Sequence, residues 1–342
     1  MLPVMLVNVY CTHRRPPSLA FPHRLNARRD RSDPELAPHL DGFMGFVMQN
    51  GARPMTQTRY HVLRHLARVQ HHLSFELDEA HMAAFAEWAH AANGIVFLTD
   101  GSVRGPDGAV LVDPTTGAPD PDAELPYPED ALRRKAATEK ALAARGIAVP
   151  RSLPPVVAEV EADLRPALEI AGRCRALFAC AVRAESLSAR DPVPTADILA
   201  RVPGALEAMS PSERSFFEAP SPDRQAVVNH AWRYEALAVL LWALHARHEL
   251  PFPARTCDVP ALAKTMLHDV SSLQHASSRD AGAILDTLDL HYRLHWATKE
   301  ARLKNTAPPA GLDPGVVVER HHALNWLTRW NDAEWDEVDT PT

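Results

Sequence analysis

Glu235 lies between Trp232, Val239 and Trp242 at separations of three, four and three residues, so the four side chains share one side of a helix and the carboxylate is drawn among apolar neighbours. A carboxyl group in that position has two uses. With its pKa raised by burial it is a general acid or base; set against a cation it is half of a structural ion pair, the commoner arrangement where no partner motif accompanies it. Asp289 repeats the pattern on the face Leu285, Asp289, Tyr292, Trp296, and Arg293 follows four residues later, the spacing of a local salt bridge. Arg320 is the converse case. It aligns with Val316, Ala323 and Leu327, and a guanidinium on an apolar stripe must be paired to be tolerated, so Arg320 is the expected partner of Glu235 or Asp289.

The run Glu319-Arg320-His321-His322 contains a Glu-x-x-His pair, Glu319 with His322, the spacing by which carboxylate-bridged two-metal sites in helical bundles aim both ligands inward. Such a site also needs a second pair and two further carboxylates on facing helices. The other Glu-x-x-His, Glu87 with His90, falls on the far side of a proline-rich stretch, so a metal held by Glu319 and His322 is the lesser reading, and no cofactor is expected. His321 and Asn325, one turn apart, also suit a simple hydrogen bond along a helix face. The candidate catalytic residues are therefore Glu235, Asp289, Arg293, Glu319, Arg320, His321, His322 and Asn325. No H-E-x-x-H, P-loop, G-x-S-x-G or glycine-rich dinucleotide turn assigns them a reaction. The 18 histidines add little, since His61, His65, His71 and His72 are spread over a helix and its exit.

The elements that must position these residues follow from periodicity and punctuation. Val4, Leu6 and Val9 open a buried strand, and the Arg-, Pro- and His-rich residues from there to about Asp41, with Arg14, Arg15, Arg24, Arg28, Arg29 and Arg31, are expected to form a solvated loop or arm, with an anion or partner contact as the lesser reading. Phe43, Phe46 and Val47 predict a short strand, Thr58 to Val69 a helix, and Leu73, Phe75 and Leu77 a second alternating strand. Asp78 is placed to cap a helix ended by Asn93-Gly94, Ile95 to Leu98 forms a strand, and Asp100-Gly101 and Asp107-Gly108 mark hairpins. Pro114 to Pro128 is too proline-dense for a core element and predicts a linker. Beyond it come a helix over Ala131 to Arg145, one beginning at Pro166, a capping box at Ser210-Pro211-Ser212-Glu213, and a long helix from Ser221-Pro222 through His248. Further helices follow Asp258, Ser278 (to about Lys304) and Asp313-Pro314. The fold class expected is α+β: a small mixed domain over residues 1–113, a linker over 114–128, and a larger all-α domain over 129–342.

Composition limits the function classes. A 342-residue chain with 46% hydrophobic residues can bury two cores, and a formal net charge of -7 argues against a general attraction to nucleic acid. Cys11, Cys174, Cys180 and Cys257 are too few and scattered for a disulfide framework, which points to a reducing, cytoplasmic setting. The opening from Leu2 to Tyr10 lacks a basic leader and cleavage site, whether Met1 or Met5 is the start, and no apolar run of about 20 residues spans a membrane.

Several separated motifs resemble the bacterial domain-of-unknown-function family 4272. They are Arg151-Ser152-Leu153-Pro154-Pro155, Trp232-Arg233-Tyr234-Glu235-Ala236-Leu237 with Leu240-Leu241-Trp242-Ala243-Leu244, and Ile284-Leu285-Asp286 with Asp289-Leu290 and Tyr292-Arg293-Leu294. Val317 through Trp326 and the closing Trp335-Asp336 and Asp339-Thr340 continue the likeness. It covers the chain from about Ala131 onward and implies a helical domain without an assigned activity. The function expected is that of a non-enzymatic interaction or regulatory protein whose partner is another protein; the alternative is a hydrolytic enzyme, with or without a metal, whose polar site lies in the helical domain. Nothing in the sequence fixes an oligomeric state.

Overall fold

The computed structural model describes residues 4–268 and 272–342; Leu2 of the opening apolar run lies outside them. The chain divides into two compact units, one of residues 1–133 with 157–161, the other of residues 134–156 with 162–342.

The first unit is built on one antiparallel sheet of six strands, β1 (Val4–Cys11), β2 (Arg24–Asp30), β3 (His71–Asp78), β4 (Gly94–Leu98), β5 (Val103–Arg104) and β6 (Val110–Val112), in the order β2-β3-β1-β4-β5-β6. The central strand β1 pairs Val9 with Leu73 on one side and Val96 on the other. Both faces are covered. Val7, Val9, Leu73, Phe75 and Leu77 pack with Phe85 and Trp88 of helix α3 (Met82–Ala91). Tyr10 and Ile95, on the opposite face, pack with helices α1 (Leu36–Val47) and α2 (Gln57–Arg68). Alternation along the strands puts apolar side chains on both faces at once.

Three expectations for this unit need correction. Phe43 and Val47 belong to α1 rather than a strand, because Leu36, Leu40, Phe43 and Val47 recur at helical spacing and bury together, while Pro38 falls in the first turn, where its missing N–H costs nothing. The expected arm contains β2, an edge strand without a single buried residue, whose register slips between Leu25 and Ala27. Asp78 precedes a single 3-10 turn and makes no capping bond through its side chain. The proline-rich residues after Asp113 are fastened to the unit: Arg53 and Arg59 donate to the carbonyls of Pro114 and Gly117, and Leu125 joins the core.

The second unit is helical, with α4 (Glu129–Ala144) entering it at Arg134, then α5 (Ala167–Ser188), α6 (Thr195–Arg201), α7 (Pro211–Glu218), α8 (Arg224–Ala231), α9 (Arg233–Ala243), α10 (Val259–His268), α11 (Ala281–Leu303) and α12 (Pro314–Leu327). Helix α9 packs against α5 and α12, and α12 packs against α11. Every residue of α9 from Tyr234 to Ala243 is buried, as expected of a helix that is apolar all round. The capping box at Ser210 and Glu213 forms as its sequence predicts, and Asp258 and Asp313 cap α10 and α12. The expected long helix from Ser221 is instead α8 and α9, interrupted at Trp232 and finished at Ala243, where His245 turns into the left-handed region at φ 59°. Its N-cap is Asp223 rather than Ser221, and that of α11 is Asp280 rather than Ser278. No helix among the described residues is long and apolar enough to cross a membrane.

Candidate functional site

Glu235 enters the core in the first turn of α9, and Arg320 faces it from the second turn of α12. The Arg320 Nε and Nη2 atoms both lie 3.0 Å from Glu235 Oε2, and both side chains are at most 2% exposed. The second carboxylate oxygen is taken by the Cys257 backbone N–H, and Arg320 Nη1 donates to the Pro251 carbonyl. The expected pair is therefore present, and both oxygens of the carboxylate are engaged.

Asp289 and Arg293 form a bidentate pair within α11, at 2.9 Å for each bond, with neither side chain exposed to any extent. Arg293 also donates to Glu139 of α4 and to the Pro154 carbonyl, so one guanidinium ties three segments of the helical unit together. Planar, five-donor geometry suits such a buried junction.

Glu319 lies 3.1 Å from Arg233, and both side chains are largely shielded from solvent. Burial pushes its pKa up against the opposing pull of Arg233. His322 donates from Nε2 to the Trp335 carbonyl and meets the Trp335 ring edge-on; burial and the charge of Arg233 push its pKa down to about 4. The Trp335 indole also carries Arg173 at 4.7 Å and Arg233 at 5.8 Å, while the neighbouring Asp336 accepts from the Ser210 and Ser212 hydroxyls. His321 is fully enclosed, its Nδ1 3.0 Å from Nδ1 of His295, and burial holds it well below its ordinary pKa. One ring must donate and the other accept, so the pair requires at least one neutral imidazole. Asn325 donates to the Asp339 carbonyl.

These residues do not converge on one point. Glu319 turns to Arg233 and His322 to Trp335, Glu87 and His90 lie exposed on α3, and no group of three or more His, Cys, Asp or Glu side chains among the described residues is arranged to hold a metal ion. The arrangement is a set of separate buried pairs fastening α4, α5, α9, α11, α12 and the C-terminal segment.

Residues 134–338 match the family described as a domain of unknown function (DUF4272). The chain belongs to this family. No curated protein and no solved structure matches it. The DUF4272 span begins at Arg134, where the compact helical unit also begins, and contains all eight candidate residues.

One cavity of about 410 Å³ in the DUF4272 domain reaches this polar core. It ends on Arg320 and is lined by Arg247, Arg255, Thr256, Cys257 and Asp258, residues of the irregular connection between α9 and α10. Sequence reasoning missed them because the expected helix ran through His248 and periodicity says nothing about an irregular segment. A second constellation was also missed, in the sheet unit: Tyr10 Oη bonds His39 at 3.0 Å, His72 bonds Asn8 at 3.2 Å, and Arg29 lies 3.3 Å from the other nitrogen of His72. Pairing across β1, β2 and β3 assembles it, which no local spacing reveals.

Proposed function

We propose that this protein is a non-enzymatic interaction or regulatory protein of the cytoplasm, with the helical unit as a rigid scaffold and the basic edge strand β2 as its contact surface for an acidic protein segment. The observation that carries the reading is the Glu235–Arg320 pair, in which both carboxylate oxygens are already bonded. A general acid or base needs a free position next to the reacting atom, and Asp289, held in a bidentate pair, offers none either. Among the described residues strand β2 has a neighbour on one side only, and it brings Arg24, Arg28 and Arg29 to an exposed edge, the kind of surface to which another chain can add. Four free cysteines fit a reducing compartment.

The test is cross-linking in the native cell followed by purification of the full chain. A defined partner is expected with the wild type, and at least a tenfold loss with Arg24→Glu/Arg28→Glu at an unchanged unfolding midpoint, since the Arg24–Glu76 contact is exposed and contributes little. Hydrolysis of a model ester, amide or phosphoester that Glu319→Gln abolishes, again at an unchanged midpoint, is the contrary result.

A further inference from the structure

The cavity above Arg320 is more positive than the rest of an acidic protein. Arg320 uses three of its five N–H groups, two on Glu235 and one on Pro251, which leaves two without a protein acceptor among the described residues. Arg247 is half-buried, and its Nε is sealed from solvent with no partner. Arg255 lines the cavity and is exposed, and among the described residues no carboxylate pairs with it. Against these guanidiniums the lining holds one carboxylate, Asp258, and one of its oxygens is spent capping the Ala261 N–H of α10. Glu235 neutralises Arg320 alone.

A buried guanidinium nitrogen without an acceptor is costly, and the same atom becomes favourable once an anion arrives. The cavity has the size of a small-molecule site. Its donors differ in burial, with Arg320 buried, Arg247 half-buried and Arg255 exposed, and Thr256 shares the lining, so they do not present one flat fork. That arrangement suits a tetrahedral dianion better than a planar monoanionic carboxylate. Cys257 does not add chemistry: burial and the neighbouring Glu235 carboxylate push its thiol up to about 12, so it stays protonated and unreactive at neutral pH.

We propose that the Arg247–Arg255–Arg320 cavity is a binding site for the phosphate group of a small phosphorylated molecule. The site binds without reacting, which would make the helical unit responsive to a soluble ligand; the inference rests on the cavity and not on the partner surface at β2. Bound phosphate would bridge the α9–α10 connection to α12 through Arg247 and Arg320.

The experiment is titration of the full chain with inorganic phosphate, followed by calorimetry and by the unfolding midpoint, in chloride buffers of matched ionic strength. The wild type is expected to show saturable binding with one site and a rising midpoint. Arg247→Gln and Arg255→Gln, both outside the buried ion pairs, are expected to fold normally by circular dichroism and to bind phosphate at least tenfold more weakly. Absence of saturable binding by the wild type overturns the proposal, as does equal binding by the two folded variants. Tighter binding of succinate than of phosphate overturns the phosphate assignment.

Discussion

The polar residues of the helical unit are placed by the cost of burying charge. Arg293 has no exposure and three acceptors, and taking away its main one leaves a guanidinium in the core with only Glu139 and a carbonyl. Asp289→Leu should therefore lower the unfolding free energy by about 3–5 kcal/mol, the usual penalty for orphaning a buried charge, as read by denaturant titration. A loss below about 1 kcal/mol would mean that water reaches Arg293. This pair was legible because both partners sit one turn apart on one helix, and Arg320 was legible because a cation interrupted an apolar stripe. Neither argument extends to Arg233 with Glu319, to His321 with His295, or to the cavity arginines. Their neighbours are remote in sequence, and the segments that carry some of them have no period to read.

At the scale of elements, the caps at Asp258, Asp313 and the Ser210–Glu213 box were legible because each acts within three residues of itself, whereas Ser221 and Ser278 each stood two residues before the aspartate that caps the helix. The end of α9 was hidden because a histidine, not a glycine or asparagine, takes the left-handed turn. β2 was hidden because an edge strand with no buried side chain shows no alternation. One glycine carries a requirement that propensity alone would reverse. A Cβ at Gly315, in the first turn of α12, would stand 2.6 Å from the Trp232 ring, so Gly315→Ala should destabilise by roughly 1–3 kcal/mol through overpacking instead of stabilising the helix. Thermal unfolding of the variant decides it, and a raised midpoint would show that the Trp232 ring moves aside freely. Asp313→Ala should cost about 1 kcal/mol, because its carboxylate accepts from the Gly315 and Val316 N–H groups at the same helix start.

For the molecule as a whole, buried neutral histidines set the response to acid. Burial pushes His291, His295 and His322 each down to about 4 and His321 lower than its ordinary value, with Lys299 and Arg302 acting in the same direction on His295 and Asp339 and Asp336 opposing on His295 and His322. Between the ordinary value near 6.5 and 4 the unfolded chain binds more protons than the native one. Stability is then full above about pH 6.5 and falls as the pH drops, by up to ~1.4 kcal/mol per pH unit for each such histidine. Glu319, whose pKa is raised, works in the opposite direction but is one group against several. Denaturant titrations at pH 7 and pH 5 should show a clear loss at pH 5, and equal stability at the two values would count against neutral buried imidazoles. The central claim is that the polar core is a structural fastening, and a double-mutant cycle on Glu235 and Arg320 tests it most directly. Glu235→Leu and Arg320→Met are each expected to cost about 3–5 kcal/mol, and the double variant to cost at least ~2 kcal/mol less than their sum. Single variants that each lose under ~1 kcal/mol, with additive effects, would contradict it.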